Sequence, residues 1–566
     1  MKLYVDGICT EPKMGQSLAE IVVGLGMDSG SLEQKPLAAK IAGEVFNLNY
    51  VPVRNKDVSG DRASIRRAMK ASGGIVSLLR YGDPAGKDVY TRTSQFVIFL
   101  AIRRLWPKAK AKMNCKVGKA LYIEVQNEPH FNVLQLKNEI AKIVSENIPL
   151  IRKKITTKDA IAHFTAEGQM DKARLLSWRK DTDFNIYTYG DFADYYYGEL
   201  APSTGCLLTW DILPAEGGFM FLYPDDLNPN IVAQYEDLPK FLKVSTEGER
   251  WCELMECETV ADLNELVLNG KIRELIRVNE ALHEKKYSQI ADAICERNAK
   301  VVMLSGPSSS GKTTSGNRLA TQLRVHGKKP VLLSLDDYYI NRELLTPDEN
   351  GEIDFEHINT IDTELFRQHI SELLSGNEVK IPRFDFISGK RVWDGHTLKL
   401  TKSSVVIVEG LHALNPVLLP ENIDPQSIYK LYVSPLLPLN LDNHNRIPTS
   451  TLRLLRRTVR DFETRGSSVQ RTMSMWASVR RGEARWIFPY QEKADAIFNS
   501  STLYELAVLK KHIYPLLLNV QPEDSCYEQV RSLVKILNYV QEADVDDEIP
   551  PTSLVREFIG GNAFYK

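Results

Sequence analysis

The sequence predicts an α/β protein whose second half is a parallel sheet with helices on both faces, preceded by smaller α+β units. Three observations predict it. From Lys300 the pattern becomes strand–helix–strand: "KVVMLSG" reads as a buried strand, "GKTTSGNRLATQLRVHG" as a helix, "KPVLLSLDD" and "SSVVIVEG" as further strands. Near-continuous Val/Leu/Ile runs are what a parallel sheet covered on both faces requires. Before Lys300 the strand-like runs are shorter and mixed with helical ones, and 566 residues exceed what one ordinary core holds, so several domains are expected.

Taken in order, residues 1–60 alternate β-like runs ("KLYVDG", "EVFNLNYVPV") with a small helical piece, "LAEIVVGLGM". Residues 61–230 mix both types: "SQFVIFLAIRRLWP" has helical periodicity and stops at Pro107, while "ALYIEVQ" and "CLLTWDIL" are strand-like. Residues 231–298 repeat apolar positions every three to four, which predicts a helical connector packed on a neighbour, because an apolar stripe needs cover. Residues 299–500 carry the βαβα pattern, with Gly327 as the C′ glycine of its first helix. Residues 501–566 form a helical extension ending in an acidic, Pro-containing stretch and "TSLVREFIGG".

Bulk composition narrows the class. With 43% hydrophobic and 25% charged residues and a net charge of -2, the chain has no global attraction to nucleic acid or anionic membrane. Its seven cysteines are scattered and contain no C-x-x-C pair, which speaks against a disulfide framework or zinc knuckle and for a reducing compartment. Cys252 and Cys257 read as two thiols in a helical region. No signal-like N-terminus and no membrane-length apolar run are present, so a cytoplasmic enzyme with no membrane partner is expected.

The chemistry is carried by "GPSSSGKTT", which matches G-x-x-x-x-G-K-[ST] through Gly306, Gly311, Lys312 and Thr313. Glycines let the backbone wrap close to phosphate, and the following helix adds its positive end. Gly306, Ser308, Ser309, Ser310, Gly311, Lys312, Thr313 and Thr314 are therefore the expected nucleotide cradle. Lys312 neutralises the outer phosphates, and the Thr313 hydroxyl is placed for Mg²⁺. The motif follows a strand and opens a helix, as this mechanism demands. The reaction must come from carboxylates at the ends of neighbouring strands. Asp336 ends one, as a general base for a hydroxyl or as a helix cap; Glu409 ends another, as a metal anchor or a cap. Arg453, Arg456, Arg457 and Arg460 recur at helical spacing, either as a solvated basic face or as a lid that closes on the transferring phosphoryl group.

In order and spacing, "GPSSSGKTT", "LSLDDYY", "IDFEHINTID", "IPRFDFISGKR", "VVIVEGLHAL" and "RLLRRTVRDFETRG" resemble the uridine kinase/phosphoribulokinase family. The resemblance implies ATP- and Mg²⁺-dependent phosphorylation of a sugar hydroxyl, typically the 5′-OH of a nucleoside. It implies Asp336 as catalytic base assisted by Lys312, Arg456 and Arg460. It assigns Tyr339, Glu356, Phe384, Phe386 and Arg453 to the substrate, and Thr313 and Glu409 to the metal. Two departures stand out. Gly389 takes the place of a uracil-contacting histidine, and a glutamine near the lid lacks a clean counterpart: Gln470 is a poor fit and Arg471 falls nearer the spot. The acceptor is thus open between a nucleoside of either base class and a phosphorylated sugar, for which Arg383, Lys390 and Arg391 are available. Members of this family assemble as oligomers, so a homo-oligomer is also implied.

The N-terminal half resembles threonyl-tRNA synthetases through "AIRRLWPKAK" and "NIYTYGDFADYYYGELAPSTG". Residues 1–60 are similar to the β-grasp (TGS) module and 61–230 to the editing domain. That domain's four metal-ligand positions fall here on Phe96, Leu100, Tyr196 and Leu200, none a good zinc ligand. The fold is expected without the editing chemistry, leaving a binding, regulatory or supporting role. The run "RRLWPKAKAKMNCKVGK" is either a tRNA-contacting strip, which would make the chain an RNA-binding regulator with an ATP switch, or solvated lysine.

Overall fold

The computed structural model describes residues 2–52, 69–179, 181–345, 354, 356–421 and 423–564. A small mixed sheet opens the chain. Its order is Ile8–Thr10, Leu3–Val5, Ile75–Leu79, Ala38–Ile41, Glu44–Phe46, with the second and third strands parallel. The helix Leu18–Gly24 covers it, started by a Ser17/Glu20 capping box. The sheet takes its central strand from Ile75–Leu79, so this unit runs beyond the expected boundary at residue 60. That boundary itself lies outside the described residues.

The next region packs the long helix Pro84–Leu105 against an antiparallel sheet ordered Asp211–Ala215, Gly218–Leu222, Ala120–Gln126, Lys110–Val117. A second sheet joins Arg152–Thr156, Asp183–Tyr189 and Phe192–Asp194. "CLLTWDIL" is a strand only from Asp211; its first residue, Cys206, ends the turn Thr204–Cys206, which is anchored by the Thr204 hydroxyl donating to Ile143 O and accepting from Ile148 N. Phe96, Leu100 and Leu200 are buried in one core with Tyr196 packed against it, and the Phe96 and Tyr196 rings lie 6.5 Å apart. The positions that would hold a metal are filled by apolar packing.

Helices Pro239–Leu254, Val260–Leu268 and Ile272–Glu296 follow. Cys252 is in the first of these and Cys257 just after it, both buried. The third is the covered connector: it lies on the helix Lys312–Val325, with Tyr287 Oη bonded to Ser315 Oγ at 2.9 Å and Arg318 paired with Glu280 and Glu284.

The second half is a five-stranded parallel sheet ordered Lys329–Ser334, Ser404–Glu409, Val301–Ser305, Ile428–Ser434, Ala496–Asn499. Its strands feed two cores at period two. Val301, Met303, Val406 and Val408 pack with helix Thr363–Leu374, while Val302, Leu304, Val405 and Ile407 pack with Lys312–Val325 and Ile272–Glu296. This is the doubly covered parallel sheet the apolar runs call for; burying each Val or Ile is worth about 2 kcal/mol. A further core joins the two halves, uniting Phe164, Leu176 and Tyr195 with Leu452, Leu455, Leu506, Val508 and Phe558. Among the described residues no helix is long and apolar enough to cross a membrane.

Candidate active site

The loop 306–311 leaves the strand Val301–Ser305 and enters the helix Lys312–Val325. Its shape is set by backbone that side chains would block. A Cβ on Gly306 would lie 2.1 Å from Val433 O, and Ser309 (φ 59°) and Gly311 (φ 85°) are left-handed. Successive turns of this kind point N–H groups into one concavity. The Ser309 and Ser310 hydroxyls are buried within the loop without hydrogen-bond partners.

Two neighbouring parallel strands bring the carboxylates to this loop. Ser334 and Glu409 are in register, and Ser334 Oγ donates to Glu409 Oε1 at 3.1 Å. Thr313 Oγ1 donates to Glu409 Oε2 at 3.4 Å. Asp336 is the second residue of the turn Leu335–Tyr338, and its N–H donates to the capping Ser334 Oγ. Burial pushes the Asp336 carboxyl up, opposed by Lys312, Arg465 and Arg460. Burial, then Asp336, lifts Glu409 to about 7. Burial lowers Lys312, opposed by Glu409, Asp336 and Glu557. Lys312, Thr313, Asp336 and Glu409 are thus one cluster.

The arginine helix Thr449–Arg465 is placed differently from a lid that is open to solvent. Arg453 is buried, pairs with Glu483 and donates to Ser308 O at 3.1 Å. Arg456 is buried against Glu505 (2.7 Å), and its Nη1 reaches Ser309 O at 3.4 Å. Arg457 Nη1 donates to Ser308 Oγ at 2.8 Å. These three prop the loop through its carbonyls and a hydroxyl. Arg460 and Arg465 share Asp461 with Arg457, and it is Arg460 and Arg465 whose charge acts on Asp336. Of the two arginines expected at the reacting group, Arg460 bears on the base and Arg456 is engaged beneath the loop.

Beyond Asp336 stands an aromatic trio. Tyr339 lies 5.5 Å from Phe384 and 6.3 Å from Phe386, ring to ring; Phe384 is buried and Phe386 is 54% exposed. Glu356 faces the same space. Its Oε2 is buried without a hydrogen-bond partner, and burial, then Glu483, raises its carboxyl to about 7. A Cβ on Gly482 would lie 2.3 Å from Glu356 Cβ, so Gly482 leaves the room Glu356 occupies. Gly389 (φ 68°) turns the hairpin carrying the phenylalanines, and Arg342 packs where a Gly389 side chain would go, donating to Phe386 O at 2.8 Å. Of the cations available to a phosphorylated acceptor, Arg391 is committed to Asp362 and the Tyr338 and Tyr339 carbonyls, and Lys390 is 3.6 Å from Glu343. Gln470 bonds Asp524, away from this cluster.

The motifs do not single out four side chains found here: Glu483, Glu505, His412 and Glu557. His412 is three residues past Glu409, buried, with no hydrogen bond of good geometry at either ring nitrogen; burial pushes it down to about 4. The glutamates lie far along the chain, with no local pattern to mark them.

The donor set suits a magnesium nucleotide. Lys312 follows the left-handed Gly311 of the loop, and Thr313 and Glu409 supply the oxygen ligands a hard cation takes.

Residues 301–507 match the model of the phosphoribulokinase/uridine kinase family. A uridine kinase of Staphylococcus aureus is 30% identical over 209 residues, covering 37% of this chain and 91% of that one. A threonine–tRNA ligase of Desulforamulus reducens is 28% identical over 218 residues of the N-terminal part, 38% of this chain; the chain spans only 31% of that ligase. A solved structure described as a "possible uridine kinase" from Bacillus stearothermophilus aligns over 37% of this chain and 97% of its own, at 19% identity and a TM-score of 0.25.

Proposed function

Because the chain belongs to the phosphoribulokinase/uridine kinase family, we propose that it is an ATP-dependent nucleoside kinase that transfers the γ-phosphoryl group to a ribose 5′-hydroxyl. The observation that carries this reading is the joining of Lys312, Thr313, Asp336 and Glu409 in one cluster, bordered by Tyr339, Phe384, Phe386 and Glu356. A phosphate-only enzyme has no use for a carboxylate base beside an aromatic pocket.

In this mechanism Asp336 accepts the proton of the acceptor hydroxyl as it attacks in line. Lys312 and Arg460 neutralise charge on the transferring group. Thr313 and Glu409 would hold Mg²⁺, which supplies charge neutralisation between the outer phosphates. Phe386 stacks on the base, and Glu356 accepts from the ribose hydroxyls. A nucleoside is favoured over a sugar phosphate by the aromatic trio; of the cations a substrate phosphate could use, Arg391 is committed to Asp362, while Arg383 and Lys390 are exposed. With Gly389 and Arg342 at the base end, no imidazole donor is offered to a pyrimidine.

The N-terminal half acts as a supporting or regulatory region. Its former metal positions are apolar, and its core continues into that of the arginine helix.

The test is ADP release from Mg·ATP across purine and pyrimidine nucleosides, ribose 5-phosphate and ribulose 5-phosphate. Turnover with one nucleoside is expected; turnover only with a sugar phosphate, or with no acceptor, rejects the assignment.

A further inference from the structure

The segment Ser553–Asn562 lies outside the 301–507 match, yet it closes over the phosphate loop. Thr314 sits in the first turn of Lys312–Val325, where N–H groups have no acceptor within the helix. Its hydroxyl donates to Glu557 Oε2 at 2.6 Å and its N–H to the same oxygen at 3.3 Å. Asn562 Nδ2 lies 3.5 Å from the Thr314 hydroxyl. An anion belonging to the chain therefore sits at the positive end of the helix that such a loop uses for phosphate.

The segment is held there by packing on both sides. A Cβ on Gly311 would be 2.7 Å from Leu554 Cδ2, so Leu554 rests directly on the loop glycine. Phe558 is buried beneath the Arg456 guanidinium, 4.9 Å from its ring centre. Ser553 Oγ donates to Glu280 at 2.7 Å. Gly560 (φ 85°) and Gly561 (φ 72°) follow Glu557 closely, offering backbone that can take up a shift of the short turn before them.

We propose that Ser553–Asn562 is an autoinhibitory strap: the Glu557 carboxylate occupies donors of Thr314 that the nucleotide's inner phosphates require, so nucleotide binding and strap closure exclude each other. The inference rests on the nucleotide reading of the loop. Its physical basis is that two anions cannot share the same pair of donors, and that a carboxylate beside a polyphosphate in a poorly solvated site is repelled. Glu557 also bears electrostatically on Lys312 and Glu409, which places its charge within the cluster rather than at its rim.

The test uses the full chain and MgADP as probe. Calorimetric titration of the wild type and of Glu557→Gln, which keeps the shape and removes the charge, should show about tenfold tighter binding by the variant, the factor expected if the closed strap outweighs the open one tenfold. In the wild type, saturating MgADP should speed hydrogen exchange of the amides of residues 553–562, a readout that needs no variant to fold. Unchanged or weaker binding by Glu557→Gln overturns the strap. Slower exchange on MgADP binding also overturns it, since the segment would then be a wall of the loaded site. If neither protein binds MgADP, the nucleotide reading itself fails and the strap with it.

Discussion

Arg456 and Glu505 form an ion pair in which neither side chain reaches solvent, and the same guanidinium touches the carbonyl of Ser309 in the phosphate loop. The pair ties the arginine helix, the start of helix Glu505–Leu518 and the loop into one rigid unit. Removing one partner of a buried pair strands the other charge, which costs about 3–5 kcal/mol. Glu505→Ala should therefore lose stability of that order in urea unfolding. An unchanged midpoint would show that the pair does not hold this unit together.

Asp336→Asn keeps the shape of the proposed base and removes its proton-accepting charge. Acceptor-dependent ADP release should fall roughly 100- to 10,000-fold, while MgADP binding is retained, since the Lys312, Thr313 and Glu409 side chains all remain. Retained turnover would remove Asp336 from the chemistry.

Phe386 is half exposed and Phe384 is buried, although both lie in one hairpin. Phe386→Ala should leave stability within about 0.5 kcal/mol and raise the acceptor KM roughly tenfold, the worth of a stacked base. The KM for ATP should not move. Equal effects on both substrates would place Phe386 outside the acceptor pocket.

The two halves of the chain meet at a buried charge network. Asp194 pairs with Lys172 and His444, and the His444 ring stacks on Phe99 at 3.5 Å. Burial alone would raise the Asp194 carboxyl, but Lys172 and His444 outweigh it and hold it well below the usual range. A depressed carboxyl stabilises the fold above its unfolded value near 3.9, and that stability drains away as pH falls below it, because the unfolded chain takes up the proton first. Asp194→Asn should therefore be less stable than wild type at pH 7 by about 3 kcal/mol, with the gap closing below about pH 4. Urea midpoints measured against pH decide it; a constant gap would contradict the linkage.

Much of the site is legible in the sequence because each part is local. The phosphate loop is a contiguous run between a strand and a helix, and Asp336 and Glu409 each directly follow or end an apolar strand. Helical spacing also locates the arginine helix. It does not say which way each arginine faces. That depends on Glu483, Glu505 and Asp461, and on the rotation that buries Leu452 and Leu455. The first sheet runs past residue 60 for a similar reason: Ile75–Leu79 joins Leu3–Val5 across some seventy residues, and no local pattern marks that pairing.

That Phe96, Leu100, Tyr196 and Leu200 stand where metal ligands are lost is what the resemblance to threonyl-tRNA synthetases implies; what the sequence by itself determined is the parallel sheet, the phosphate loop and its strand-end carboxylates. Periodicity and residue chemistry act over a few neighbouring positions, and those features need nothing more. The tertiary structure alone decided that Arg453 and Arg456 brace the loop, that the N-terminal half shares a core with the arginine helix, and that Glu557 lies on Thr314. Each of these is a choice of partner between distant segments, made by packing and by the cost of burying a charge without its counterpart.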